Sequence, residues 1–257
     1  MKKKFKYLLI LCFLVCGSIY AQDAASIMNS ARNRIQSETM STRSRMVITA
    51  RNGSTSDRVI DQYSKDGSNG SRTVIVFQEP SNVRGTRFLT MDNASGGTDQ
   101  WIYLPSLGRV RRISTSESSG SFMGTDFSYD DISLIDRDVN LDTHTLLREE
   151  TLNGNPCYVI QSVANNTSYQ YGKTISWIDK NTYVTHKAEM YNRRNEMIKL
   201  MEMSDYRDIQ GRITPMQTKI STVGAGTFTT IFIEIARYDA PIPEGVFTTA
   251  YLETGRP

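Results

Sequence analysis

Few side chains in this sequence have the types and spacing that chemistry needs. His144 and His186 are the only histidines in 257 residues. A metal site built on them would need further ligands, and no His/Cys cluster supplies these. No Gly-x-Ser-x-Gly elbow occurs, so a secreted hydrolase stands only as the alternative of another class. No P-loop or dinucleotide glycine pattern is present. Asp126, Asp130 and Asp131 lack the alternating ligand spacing of a calcium loop, so capping and pairing with arginine are expected of them. Cys157 lies in the strand-like run Pro156–Ile160 and reads as a small buried hydrophobe. No catalytic residue, metal or cofactor is expected. Arg109, Arg111 and Arg112 have two readings. They contact anionic headgroups or an acidic partner, or they form a solvated face paired with Asp126, Asp130 or Asp131. Each exposed pair contributes roughly 0–1 kcal/mol.

The elements that must position these residues are mostly strands. Asp23 to Ser37 reads as a helix, with Asp23 as its cap and Ala24, Ile27, Met28, Ala31 and Ile35 on one face. Beyond it, Arg45–Thr49, Arg58–Lys65 and Thr73–Phe77 are β-rich runs separated by Gly/Asn/Ser clusters. Pro105 and Gly108 mark a tight turn, and Ser114 to Ser121 a flexible polar loop. Tyr129 to Ile135 has acids in its first turn and reads as a short helix. Cys157–Ser162, Thr174–Asp179, Tyr183–Tyr191, Met197–Tyr206, Ile213–Val223 and Thr227–Tyr238 continue the strands. Their connections are rich in Gly, Asn and Asp, which tolerate turn dihedrals. Pro241 and Pro243 end the last long strand, and a helical turn before a final strand is expected after them. No linker or fixed-period repeat separates the chain into parts.

Thirty Lys and Arg face 27 Asp and Glu, a formal net charge of +3. The excess is not spread over the fold. Residues 1–21 have a basic start (Lys2, Lys3, Lys4, Lys6), an apolar run from Tyr7 to Cys16, and a small residue, Ala21, at their end: the three parts of a secretory signal peptide. The apolar run is shorter than the roughly 20 residues a membrane span needs. Cleavage after Ala21 removes four lysines and no acid, leaving 26 basic against 27 acidic groups on 236 residues. Charge therefore implies no nucleic-acid partner. Residues 22–257 are expected to form one domain in the periplasm. Lipid tethering at Cys16 is the alternative; Val15 before it is a poor fit for a lipidation site.

The strands are apolar on both faces. In Met197–Tyr206, the odd positions carry Met197, Met201 and Met203, and the even ones Ile198, Leu200 and Tyr206. A one-sided surface sheet would alternate apolar with polar. A curved sheet around a cavity fits this pattern, and so does an ordinary sandwich core. Trp101 and Tyr103 share a face, as core or as cavity lining. Eleven methionines fit core filling or an adaptable binding surface. The cavity candidates are Trp101, Tyr103, Phe122, Met123, Met190, Met201 and Met203.

Residues 101–131 differ in texture from the rest. Leu104, Pro105, Leu107, Arg109, Arg111, Arg112 and Ile113 are followed by Phe122, Gly124, Asp126, Phe127, Tyr129 and Asp131. This pattern resembles the outer-membrane lipoprotein-sorting protein family, whose relatives are the LolA/LolB-like periplasmic carriers. Upstream, Phe77, Pro80, Val83, Arg84, Gly85, Thr86, Phe88 and Leu89 look like that family's preceding strand pair. The resemblance implies a mainly β fold: a strongly curved antiparallel sheet, or incomplete barrel, with an N-terminal helix and short helices closing an apolar cavity. It implies a non-enzymatic monomer that binds lipid or lipoprotein acyl chains, with peripheral membrane contact. It also implies a second role, as an accessory of a resistance-nodulation-division-type exporter in the inner membrane.

Overall fold

A computed structural model describes residues 23–67, 70–93, 97–132, 137–167 and 169–257. The expected signal peptide and Cys16 lie outside the described residues, as do positions 133–135 of the expected Tyr129–Ile135 helix. The chain opens with helix α1 (Ala24–Arg32). Six strands follow: β1 (Thr39–Thr49), β2 (Thr55–Lys65), β3 (Arg72–Glu79), β4 (Arg87–Asp92), β5 (Thr98–Leu104) and β6 (Arg109–Arg112). After a long connection containing α2 (Tyr129–Ile132) come seven more. These are β7 (Asp142–Leu152), β8 (Asn155–Ala164), β9 (Lys173–Asp179), β10 (Thr185–Tyr191), β11 (Met197–Ile209), β12 (Arg212–Thr222) and β13 (Thr227–Tyr238). Helix α3 (Thr249–Thr254) ends the chain.

All thirteen strands form one antiparallel sheet, ordered β6-β5-β4-β3-β2-β1-β13-β12-β11-β10-β9-β8-β7. Two meanders are joined where the first strand pairs with the last, Met46 facing Ile231 and Met40 facing Tyr238. The sheet is curved and unclosed, so β6 and β7 are its two edges. Ile102 on β5 and Met190 on β10 lie eight strands apart, about 38 Å on a flat sheet at ~4.8 Å per strand. Both belong to one contiguous apolar cluster, which requires the sheet to curl around it. Register shifts in the β1–β13, β2–β3, β9–β10 and β10–β11 pairs supply bends, because an extra residue on one strand increases local twist.

Three expectations are corrected. The first helix stops at Arg32, not Ser37: Arg34 donates to the Ile213 carbonyl and the Gln36 carbonyl accepts from Arg212, so tertiary bonds take the chain away from the helix axis. The Asp23 side chain makes no capping bond; its carbonyl accepts from the Ile27 N–H. The expected final strand is α3, capped at its start by the Thr248 hydroxyl and at its end by Gly255, whose φ of 68° is left-handed.

The two faces are covered differently. On the outer face, α3 and the turn before it seat Val246, Phe247 and Leu252 on Val74, Val76 and Leu89. Trp101 and Tyr103 pack into this outer cluster. Farther along, Trp177 is 4% exposed, and its apolar neighbours among the described residues all lie on strands β7 to β9. The Lys187 ammonium sits 3.9 Å from its ring centroid and the Arg148 guanidinium 5.9 Å, so aliphatic stems and cations shield the ring. On the inner face, α1 places Ala24 and Ile27 on Ile160 of β8 and Ile178 of β9.

Candidate functional site

Topology forces the connection between β6 and β7 to travel from one sheet edge to the other. It does so across the inner face. Within it, Phe122 N–H donates to the Phe127 carbonyl at 2.7 Å and Ser121 bridges Ser128, forming a miniature hairpin. Its turn has φ of +53° at Met123 and +76° at Gly124. Two successive positive φ values suit a type I′ turn, and a glycine is the residue that adopts this most readily. The hairpin lowers Phe122, Phe127 and Tyr129 into the inner cluster, beside Met46, Phe88, Met190, Met201 and Ile220. Phe122 meets Phe88 at 5.0 Å, Phe77 at 5.7 Å and Tyr129 edge-on at 5.6 Å between ring centroids, distances at which tilted aromatic pairs attract.

Polar side chains fasten this cover to both halves of the sheet. The Asp126 carboxylate accepts hydroxyls from Thr222 at 2.7 Å, from Thr229 at 2.8 Å, and from Thr227. The Asp126 N–H donates back to Thr229. Arg58 on β2 donates to the Met123 carbonyl at 2.6 Å, and Gln100 on β5 to the Tyr129 carbonyl at 2.9 Å. At the end of the cover, the fully buried Asp131 side chain accepts from the Ser128 N–H, the Tyr171 hydroxyl and the Lys199 ammonium. Burial raises the pKa of Tyr171 well above the usual phenol value, with neighbouring Asp131 adding to the shift. That phenol therefore stays protonated and donates. Asp130 is also raised by burial, against a lowering hydrogen bond from Ser118.

The sequence-based candidates divide between the faces. Phe122, Met190 and Met201 are buried in the inner cluster, and Met123 and Met203 pack against it. Trp101 and Tyr103 are not with them; they lie on the outer face beneath α3. The arginines split as well. Arg111 pairs in register with Ile102, and Arg112 with Trp101, so they point to opposite faces. Their ion pairs are not with Asp126, Asp130 or Asp131 as expected. Arg111 bonds Glu117 at 2.9 Å and Arg112 bonds Asp99 at 2.5 Å. Asp99 lies on the neighbouring strand β5 and Glu117 six residues along the chain from Arg111, while Asp126 and Asp131 are buried with other partners. The Ser114 N–H and hydroxyl, then Arg111, hold the Glu117 carboxyl below its usual value, so the polar loop is organised by its own acid.

The histidines take structural partners. His144 contacts the Ser162 hydroxyl at 2.8 Å and the Val139 carbonyl at 2.9 Å. A carbonyl stands where a hydrolase triad would hold a carboxylate, and Ser162 is buried. His186 lies between Tyr206 at 2.7 Å and Asp179 at 3.3 Å. Cys157 is fully buried, and burial raises its thiol pKa. No group of three or more potential metal-binding side chains occurs among the described residues. Sequence reasoning missed the threonine clamp, Lys199, Tyr171 and Arg58. Thr222, Thr227 and Thr229 read simply as β-formers, and nothing local ties them to an aspartate about a hundred residues earlier.

A family model described as that of an uncharacterized protein matches residues 69–254. Among solved structures, a DUF1329 family protein from Desulfovibrio piger is 28% identical, with a TM-score of 0.85, covering 89% of this chain and 97% of that one. A domain assigned to outer membrane lipoprotein sorting, from Vibrio parahaemolyticus, is 25% identical with a TM-score of 0.84, covering 90% and 98%. A LolA superfamily protein from Nitrosomonas europaea shares the fold at 20% identity and a TM-score of 0.72, covering 89% and 98%. No curated protein matches the chain.

Proposed function

Because the chain belongs to the DUF1329 family, with the fold of the outer-membrane lipoprotein-sorting and LolA superfamily proteins, we propose that it is a periplasmic carrier of lipid or lipoprotein acyl chains. The observation that carries this reading is the inner face: a curved, unclosed sheet with a continuous apolar lining, covered by a short hairpin rather than by a second sheet. Each acyl CH₂ left in water costs about 0.8 kcal/mol, so a 16-carbon chain needs on the order of 12 kcal/mol of apolar shelter to cross an aqueous compartment. The inner face offers that shelter once the hairpin lifts. Phe122, Met123, Met190, Met201 and Met203 are the lining we assign to the acyl chain, and methionine suits a surface that must fit chains of differing length. Binding of this kind needs no covalent step from the protein.

Native mass spectrometry of protein purified from periplasm tests the proposal. The expected spectrum contains an added mass of lipid or acylated peptide that detergent washing removes. A lipid-free spectrum, together with no uptake of added lipid by the washed protein, overturns it.

The exporter role has its own observation. β6 is an open edge whose register places Arg111 and Arg112 on opposite faces, and Arg109 is exposed. We assign partner docking to this edge. The triple Glu variant at Arg109, Arg111 and Arg112 is expected to lose co-purification with an inner-membrane exporter; unchanged co-purification counts against that role.

A further inference from the structure

One buried polar group on the inner side is left over after its neighbours are satisfied. Among the described residues, the Tyr169 hydroxyl is buried and has no hydrogen-bond partner. Tyr169 lies in the connection between β8 and β9 and packs against the inner apolar cluster. Its ring meets Tyr171 edge-on at 5.6 Å, and the Arg137 guanidinium lies 3.8 Å from its centroid. Several polar groups near it are committed elsewhere. The Tyr171 hydroxyl and the Lys199 ammonium go to Asp131. Arg137 forks onto Asp142, with Nη2 to Oδ1 at 2.6 Å and Nε to Oδ2 at 3.1 Å. Burial pushes the Tyr169 phenol far above its ordinary pKa, so it stays a protonated donor. A buried donor without an acceptor destabilises a fold, and such groups in native structures call for an explanation. This one sits where a buried charged cluster meets the apolar face.

A lipid has one feature that fits such a boundary: the carbonyl joining its acyl chain to its headgroup. We propose that the Tyr169 hydroxyl donates to that ester or amide carbonyl, fixing where the acyl chain ends and the polar part begins. The inference rests on the carrier reading and adds the recognition element to it. Without ligand the hydroxyl is unpaired; with ligand the missing acceptor arrives. Specificity gained from a buried donor is lost when the ligand lacks the acceptor, because the donor then stays unpaired.

The experiment compares a short-chain diacyl phosphatidylglycerol, its diether analogue of equal chain length, and a dipalmitoylated lipopeptide, each titrated calorimetrically into delipidated wild type and Tyr169→Phe. Wild type is expected to bind the diester about 3- to 10-fold more tightly than Tyr169→Phe does, the range of one hydrogen bond. The diether is expected to bind both proteins equally. The lipid-free Phe variant is expected to be at least as stable as wild type, since it no longer buries an unpaired hydroxyl. Dependence on Tyr169 for the lipopeptide alone identifies a lipoprotein carbonyl; dependence for both esters identifies any acyl carbonyl. Equal diester and lipopeptide affinity in the two proteins overturns the inference and leaves the carrier reading standing. No binding of any probe to wild type overturns both.

Discussion

Two pieces of chain cover this sheet, one on each face, and they are attached by different physics. The outer cover, α3 with its preceding turn, is a small apolar plug. Val246, Phe247 and Leu252 are buried, and its polar bonds lie at its margin: Arg87 to the Leu252 carbonyl, and Glu244 with Lys65 and Arg72. The inner hairpin buries as many apolar side chains, all aromatic, in Phe122, Phe127 and Tyr129. In addition it carries two carboxylates, Asp126 and Asp131, into the interior, where each must find several donors at once. A buried charge is expensive unless paired, whereas in water it is solvated again. The inner cover is therefore stable fully seated or fully released, and poor in between. The outer cover loses stability in proportion to the apolar area it exposes. The face proposed to bind ligand is thus the one whose cover behaves as a switch.

Breaking each attachment separately sharpens this contrast, and the largest effect is expected at Lys199. Lys199→Met keeps the stem but leaves the wholly buried Asp131 without its cation, at an expected cost of about 3–5 kcal/mol. Leu252→Ala in the outer cover is expected to cost about 2–5 kcal/mol through lost burial and the remaining cavity. Urea unfolding measures both. The distinguishing readout is hydrogen exchange: the Lys199→Met loss of protection should centre on residues 120–132, and the Leu252→Ala loss on α3. Protection lost over the same residues in the two variants would show that the covers are held alike.

A smaller effect is expected at the threonine clamp. Asp126→Asn keeps the shape but removes the charge and replaces one accepting oxygen by a donor, so at least one threonine hydroxyl loses its acceptor, costing roughly 1.5–3 kcal/mol. Because Asp126 ties the hairpin to β12 and β13, loss of amide protection in hydrogen exchange should concentrate at residues 120–132 and spare the sheet. Loss spread evenly over β12 and β13 would mean that the clamp supports the sheet and not the hairpin.

The difference between the covers also marks what could be read from the sequence. The meander was legible because its turns carry Gly, Asn and Asp at strand-length intervals, and the long strands β8 to β13 are rich in β-branched and aromatic residues. β7 was hard to see: its sequence, Asp142 to Leu152, is polar because one edge strand needs little burial. The helix α3 was mistaken for a strand because Thr249, Ala250 and Tyr251 have mixed propensity, although Thr248 and Gly255 are proper cap residues. That Phe122, Met190 and Met201 are buried apolar residues was legible from their residue type. Trp101 and Tyr103 were put in the wrong layer, since periodicity says that two residues share a face and not which face. The clamp was not recoverable, because the β1–β13 pairing that puts the two sheet edges so far apart is a long-range contact with no local signal.

The smallest effect tests whether the inner cover already carries a cost in the resting protein. Asp130 lies beside Asp131, and burial raises its carboxyl pKa above the usual value. A folded-state value above the unfolded one means that the folded protein holds the proton more tightly, so stability falls as pH rises through that interval and stays lower above it. At neutral pH the ionised Asp130 thus works against the seated hairpin. Asp130→Asn removes the charge and should stabilise the protein by no more than about 1 kcal/mol, or about 2–4 °C in Tm for a chain of this size. The gain should be full at pH 7 and vanish below the unfolded carboxylate value near pH 4. Thermal melts at the two pH values measure it. A gain that persists in acid would place its origin in packing and not in charge. A loss at neutral pH would mean that Asp130 holds the cover down, as Asp126 and Asp131 do, and the inner attachment would then have three carboxylate anchors instead of two with an opposing third.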